Sequence, residues 1–187
     1  VKETFFFGVF YMSQKRKRFF INAFIILVIL IALGYTSYRL FFKINVVHVG
    51  EKAPDFTVQN LNGRSMALDH LKGKGVMLNF WQSDCAPCKK EMPFINEAYH
   101  TMHSRDNVVI LSVNVDESKS IVSHFKKTYH LDFPMWLDHK KVGQDVYGIR
   151  GFPTTYFIDS EGRVVDSVQG YMDSKSTVLK KLKEIHP

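Results

Sequence analysis

Cysteine is nearly missing from this chain. Its 187 residues include only two, Cys85 and Cys88, which excludes a framework of structural disulfides. Negative charge is missing from the N-terminal part. Residues 1–43 hold seven Lys/Arg (Lys2, Lys15, Arg16, Lys17, Arg18, Arg39, Lys43) against one acid, Glu3. From residue 44 onward 18 basic residues meet 17 acidic ones, so the formal charge of +7 belongs to the start of the chain. A nucleic-acid-binding domain needs a basic face on its folded part, and this balance supplies none. Internal repeats and low-complexity tracts are absent as well. The 45% hydrophobic and 14% aromatic content suits one packed domain of ordinary size plus an appendage.

Charge of either sign is absent from Phe19 to Tyr38. As a helix this stretch covers about 30 Å, the hydrocarbon thickness of a bilayer. Lys15-Arg16-Lys17-Arg18 precede it, and Arg39 and Lys43 follow. The positive-inside bias then places the N-terminus in the cytoplasm and residues 44–187 outside. A cleaved signal peptide is the alternative, with Ala32-Leu33-Gly34 as a small-x-small site. The apolar run exceeds the roughly 7–15 residues of a signal core, which favours a retained anchor. A buried core helix would leave the basic flank and aromatic ends without a role. A basic region begins just after Met12, so synthesis is expected to start there. The expected organisation is a cytoplasmic segment (1–18), a transmembrane anchor (19–42), a tether (43–52) and a globular domain (53–187).

Within the globular part, Asp55–Val58 and Ser65–Leu68 flank Asn62-Gly63, a type I′ hairpin signal. Val76–Trp81 is a continuous apolar run, as in a central strand covered on both faces. A helix is expected from Pro87 to about His103, with Pro87 in its first turn and a kink at Pro93. Val108–Val115 is the next buried strand. Ser118–Tyr129 is a second helix with Ile121, Val122, Phe125 and Tyr129 on one face. Phe133–Leu137 is a short strand and Lys141–Tyr147 a short helix. Thr155–Ile158 and Val164–Val168 are strands around the turn Ser160-Glu161-Gly162. A last helix runs from about Ser174 to Ile185, with Val178, Leu179, Leu182 and Ile185 inward. Alternating strands and helices, closed by a hairpin and a helix, give an α/β fold with a mixed central sheet and helices on both faces.

Cys85-Ala86-Pro87-Cys88 leaves three options: zinc, a redox pair, or two inert buried thiols. His100 and His103 imitate a finger pattern, but on one helix Cys88 and His100 stand about 18 Å apart. A shared ion needs both within about 2.0–2.3 Å. The histidines are then solvent-face residues, and no metal or other cofactor is expected. A redox pair has a mechanism here. Cys85 falls at a helix N-terminus, where unpaired amides favour the thiolate, the attacking species in disulfide exchange. Cys88, one turn further, can resolve the mixed disulfide.

The run Asn79-Phe80-Trp81-Gln82-Ser83-Asp84-Cys85-Ala86-Pro87-Cys88-Lys89-Lys90-Glu91-Met92-Pro93 resembles the active-site strand and helix of the thioredoxin superfamily. Tyr147–Ile158 resembles that superfamily's cis-proline loop and following strand. Ala53-Pro54-Asp55-Phe56, Leu68–Lys74 and the anchor narrow the resemblance to the ResA/TlpA-like branch of membrane-tethered thiol-disulfide oxidoreductases, known from cytochrome c maturation. It covers about residues 15–187. It implies a thioredoxin-like domain with Cys85 as nucleophile, Cys88 as resolving thiol, and Glu91 as an acid that tunes the thiols or relays a proton. Ordinary thioredoxins carry a buried Asp where this chain has Asn79, and Glu91 agrees with the branch. Pro153 is the implied cis-proline, bringing Phe152 and Pro153 backbone beside Cys85 to receive a partner strand. Trp81 is expected to pack under the site.

The branch usually places Trp before the first cysteine, and this chain has Asp84. An adjacent carboxylate disfavours the Cys85 thiolate, while Lys89 and Lys90 act the other way. The resemblance implies reduction of protein disulfides outside the cytoplasmic membrane, with apocytochrome c or another exported protein as substrate. It also implies a membrane thiol reductant of CcdA/DsbD type as electron donor. A thiol peroxidase of the same fold is one alternative, though Leu78 and Gln82 occupy the Pro and Thr places of its Pro-x-x-x-Thr-x-x-Cys pattern. A redox-silent module that holds exported chains in the Pro153 groove is another.

Overall fold

The computed structural model describes residues 2–41, 46–102 and 107–186, with side chains over 16–38 and throughout the two later stretches. Lys43 and His103, each given a role from sequence, lie outside the described residues. The chain divides into two units, Val1–Lys43 and Ile44–Pro187.

The first unit is one helix, α1 (Lys2–Phe41), which runs without a break through Met12. Its segment Arg16–Tyr38 has 23 residues and a mean hydropathy of 2.5. At about 1.5 Å per residue it reaches about 35 Å, enough to cross a hydrocarbon layer. Every side chain from 16 to 38 is exposed, so the apolar residues are not those of a core helix. Thr36 sits in this run because its Oγ1 donates to the Ala32 carbonyl at 2.6 Å, which leaves no free hydroxyl. The helix is compatible with anchoring in a membrane.

The second unit is built on a seven-stranded sheet: β1 (Thr57–Asn60), β2 (Ser65–Ala67), β3 (Gly75–Trp81), β4 (Val108–Val115), β5 (Met135–Asp138), β6 (Thr154–Ile158) and β7 (Val164–Gln169). Their order is β2-β1-β5-β4-β3-β6-β7. β3, β4 and β5 are parallel. β6 is antiparallel to β3 and β7, and β1 to β2 and β5. All seven residues of β3 are buried, as its unbroken apolar run requires in the middle of a doubly covered sheet.

Alternation along each strand sorts side chains to two faces. Met77, Trp81, Ile110 and Phe157 pack with Cys88, Met92 and Ile95 of α2 (Ala86–Met102). The same cluster takes Val122 and Phe125 of α3 (Lys119–Thr128) and Val178 and Leu182 of α5 (Lys175–Glu184). Val76, Leu78, Phe80, Leu111 and Tyr156 face the other way, against Phe56 and Tyr147. Tyr147 closes α4 (Val142–Tyr147), and Leu68 and Leu71 of a 3₁₀ turn join this second cluster.

Three sequence expectations differ in detail. The hairpin loop has Gly63 at φ +84° while Asn62 keeps a negative φ. The Gly63 amide donates to the Asn60 carbonyl at 2.9 Å, so the tight turn covers 60–63 instead of a type I′ pair at 62–63. Ile121 is exposed, because α3 buries only Val122 and Phe125. Residues 46–52, expected as a tether, pack onto the domain. Val47 is buried, Lys52 bridges Arg163, and Gly50 and Glu51 exchange backbone hydrogen bonds with Val164 at 2.7 and 2.9 Å.

Candidate active site

β3 ends at the middle of the sheet, where parallel strands present their C-terminal ends. α2 starts five residues later. Cys85 immediately precedes α2, and its carbonyl accepts the Lys89 amide at 3.1 Å. Its Sγ accepts the Cys88 amide at 3.2 Å. Sulfur therefore takes the place that a Ser or Asp oxygen fills in an ordinary N-cap. After reduction the same amide and the positive helix end favour a thiolate at Cys85. Pro87 falls in the first turn, where its missing N–H leaves no bond unmade.

Cys85 and Cys88 are joined as a disulfide, with Cα atoms 5.3 Å apart. The two sulfurs are not equivalent. Cys85 is half-buried, whereas Cys88 has no exposed surface.

Glu91 stands one turn past Cys88 on the same helix face and is also fully buried. Its Oε1 accepts from Asn79 Nδ2 at 2.8 Å and its Oε2 from the Met172 amide at 3.1 Å. Asn79 Nδ2 donates as well to Thr155 Oγ1 at 2.9 Å. Burial pushes the Glu91 carboxyl up to about 7, against the pull of its bonds from Asn79 and Met172. A carboxyl there can take or give a proton near neutral pH.

The Phe152–Pro153 peptide bond is cis. Pro153 is buried, Phe152 is half-buried, and the Pro153 carbonyl accepts the Gly170 amide at 2.9 Å. A groove of about 200 Å³ beside it is lined by Ile149, Phe152, Pro153, Gln169 and Gly170. Phe152 and Cys85 pack at the margin of one apolar cluster. Trp81 lies inside that cluster, fully buried, with its ring 4.6 Å from that of Phe125.

Residues 49–167 match the AhpC/TSA family. Over 160 residues the chain is 43% identical to the thiol-disulfide oxidoreductase ResA of Bacillus subtilis (strain 168), a match covering 85% of this chain and 89% of that protein. This chain belongs to the ResA thiol-disulfide oxidoreductases. The ResA of Geobacillus thermodenitrificans is 40% identical over 93% of this chain and 99% of its own length. A thioredoxin-family thiol:disulfide interchange protein from Chlorobium tepidum aligns in structure with a TM-score of 0.63 and 27% identity, over 72% of this chain and 94% of that one. The enzyme is thus a protein thiol-disulfide oxidoreductase of thioredoxin-like fold with a CxxC pair, and proteins carrying disulfides are its substrates.

Of the residues singled out in sequence, Cys85, Cys88 and Glu91 come together on α2, with Trp81 beneath. Asp84 lies exposed beside Cys85, and Lys90 Nζ sits 5.9 Å from the centre of the Tyr171 ring. His100 is exposed and pairs with Asp132 at 2.8 Å. Two supports of the site were not legible in sequence. The Met172 amide on Glu91 comes from a chain position 81 residues away. Glu117 holds the loop before Cys85: it accepts from the Ser83 amide at 2.7 Å, from Ser83 Oγ and from Asn114 Nδ2. An acid just past a buried strand, at the end of the sheet where α2 begins, was the available signal.

The enzyme should respond to loss of the Asp84 charge. Asp84→Asn is expected to lower the Cys85 thiol pKa, since it removes a like charge beside the thiolate. Thiolate absorbance followed against pH checks this, and no change or a rise contradicts it.

Proposed function

We propose that this enzyme reduces disulfides of exported proteins on the outer face of a bacterial cytoplasmic membrane, with apocytochrome c as the foremost substrate. The observation that carries the proposal is the pairing of one accessible sulfur, Cys85 at the cap of α2, with a buried Cys88 and Glu91 behind it. Cys85 thiolate attacks a substrate sulfur and forms the mixed disulfide. Cys88 then attacks Cys85, its proton passes to Glu91, and the substrate leaves reduced. Phe152 and the Pro153 groove receive the substrate strand, Trp81 supports the pair from below, and Asp84 modulates its charge. A membrane thiol reductant of CcdA/DsbD type returns the electrons. The basic residues before α1's apolar run support an N-terminus inside and the catalytic domain outside.

Trapping tests this. In a Cys88→Ala protein the mixed disulfide has no resolving thiol, so Cys85 should hold its substrates covalently in cells. Recovery of apocytochrome c among them, released by dithiothreitol, is the expected result. Well-expressed protein that captures no exported chain contradicts the exchange role, and capture of other exported chains alone contradicts the cytochrome substrate.

A further inference from the structure

Glu91 has no exposed surface, yet the role given to it above demands a proton exchange in every cycle. The sheet face beneath α2 and α3 offers a path. Most of that face is apolar, with Met77, Ile110 and Phe157 as examples. One band is not. Thr155 on β6, Asn79 on β3 and Ser112 on β4 are register neighbours. Trp81 and Asn114 form the adjoining row. All five are fully buried. Four of their polar atoms have no hydrogen-bond partner among the described residues: Asn79 Oδ1, Ser112 Oγ, Trp81 Nε1 and Asn114 Oδ1.

A buried polar group without a partner is destabilising, and a marginally stable domain does not carry four in one place. Donors and acceptors alternate here. Ser112 Oγ and Trp81 Nε1 can donate, and the Asn79 and Asn114 carbonyl oxygens accept. Backbones of neighbouring strands lie about 4.8 Å apart, and internal water commonly settles such sites by making two to four bonds. The band also has two functional ends. Asn79 Nδ2 reaches Glu91. Asn114 Nδ2 reaches Glu117, which is half-buried and holds Ser83 in the loop before Cys85.

We propose that this band holds internal water and conducts protons between Glu91 and solvent, opening at Glu117 beside the Cys85 loop. The proposal rests on Glu91 serving as proton donor and acceptor for Cys88. When a partner thiolate attacks Cys85 Sγ, a new S–S bond joins the two and the Cys85–Cys88 bond breaks. The electron pair passes to Cys88 Sγ, and the Glu91 proton follows it. Glu91 is reprotonated from bulk water along the band. In the opposite half-cycle Cys88 gives its proton to Glu91, which releases it by the same route. Ser112 and Asn114 are positioning residues for this water and touch no reacting sulfur.

Two measurements on the oxidised full chain in detergent test the path. Rotating-frame Overhauser spectra should show cross-peaks from long-lived water to the Trp81 indole N–H and the Asn79 side-chain amide. No cross-peak at either overturns the proposal. Ser112→Ala should slow protonation exchange at the ¹³C-labelled Glu91 carboxyl by about 10²-fold, the low end of what a positioned proton-transfer group contributes. The titration midpoint should stay in place, whereas a merely structural role would move the midpoint and leave the exchange rate. An unchanged exchange rate overturns the relay. Glu91→Gln separates the two levels: the water cross-peaks at Trp81 persist in it whether or not Glu91 acts in catalysis.

Discussion

Replacing Glu91 by glutamine should slow thiol exchange at neutral pH by about 10²-fold, the low end for a general acid–base group. It should also abolish a pH dependence of stability expected of the native enzyme. The oxidised folded protein holds a proton on Glu91 up to about 7, while the unfolded chain releases it near 4.5. Between those values the folded state binds more protons, so stability falls as pH rises through this window. The contribution is fully present below 4.5 and gone above about 7. A displacement of that size corresponds to roughly 3 kcal/mol. Urea unfolding of the oxidised enzyme at a series of pH values reads it directly. Glutamine keeps the shape but not the bonding. Both neighbours that reach Glu91, Asn79 Nδ2 and the Met172 amide, are donors. A Gln carboxamide has one acceptor oxygen and turns its NH₂ toward the second donor. The variant should therefore be less stable at low pH by about 1–3 kcal/mol and nearly flat with pH. A Gln variant that retains the slope would show that another group titrates in this window.

Serine at either cysteine should reduce turnover at least about 10³-fold, because a full cycle needs Cys85 to attack and Cys88 to resolve. The two variants should nevertheless differ in kind. With Cys88→Ser, Cys85 remains half-buried at its helix cap and still attacks a disulfide, so mixed disulfides accumulate. With Cys85→Ser, the remaining thiol has no exposed surface and should neither form mixed disulfides nor react with iodoacetamide at a comparable rate. Alkylation of the two reduced variants, followed by mass spectrometry, separates these outcomes. Equal rates would mean that Cys88 becomes accessible on reduction.

Much of this was legible in the chain itself. A helix long and apolar enough to cross a membrane followed from a charge-free run, and the central strand from the apolar run Val76–Trp81, which lies buried within Gly75–Trp81. Family motifs marked Cys85, Cys88, Glu91 and Pro153. Local pattern failed where the outcome depended on contacts between distant segments. Gly50 and Lys52 looked like linker because nothing nearby in sequence needs them; their partners lie beyond residue 160. Ile121 keeps helical spacing with Val122 and Phe125 but falls at the rim of the stripe. Asn62-Gly63 promised a two-residue turn, and the register of β1 against β2, with Gln59 opposite Ser65, set a longer one. Ser112 and Asn114 are the two polar residues of the expected strand Val108–Val115. Only the register beside Asn79 and Trp81 shows that they share a face with them.

The stitching of residues 50–53 onto Arg163 and Val164 has a further consequence. β7 is the last strand on its side of the sheet, and an open border strand is a template for pairing with a second chain. The chain's own lead-in occupies the first stretch of that border, and Lys181 of α5 pairs with Asp166 further along it. The segment that leads into the domain thereby covers part of a border that would otherwise be open to strand pairing.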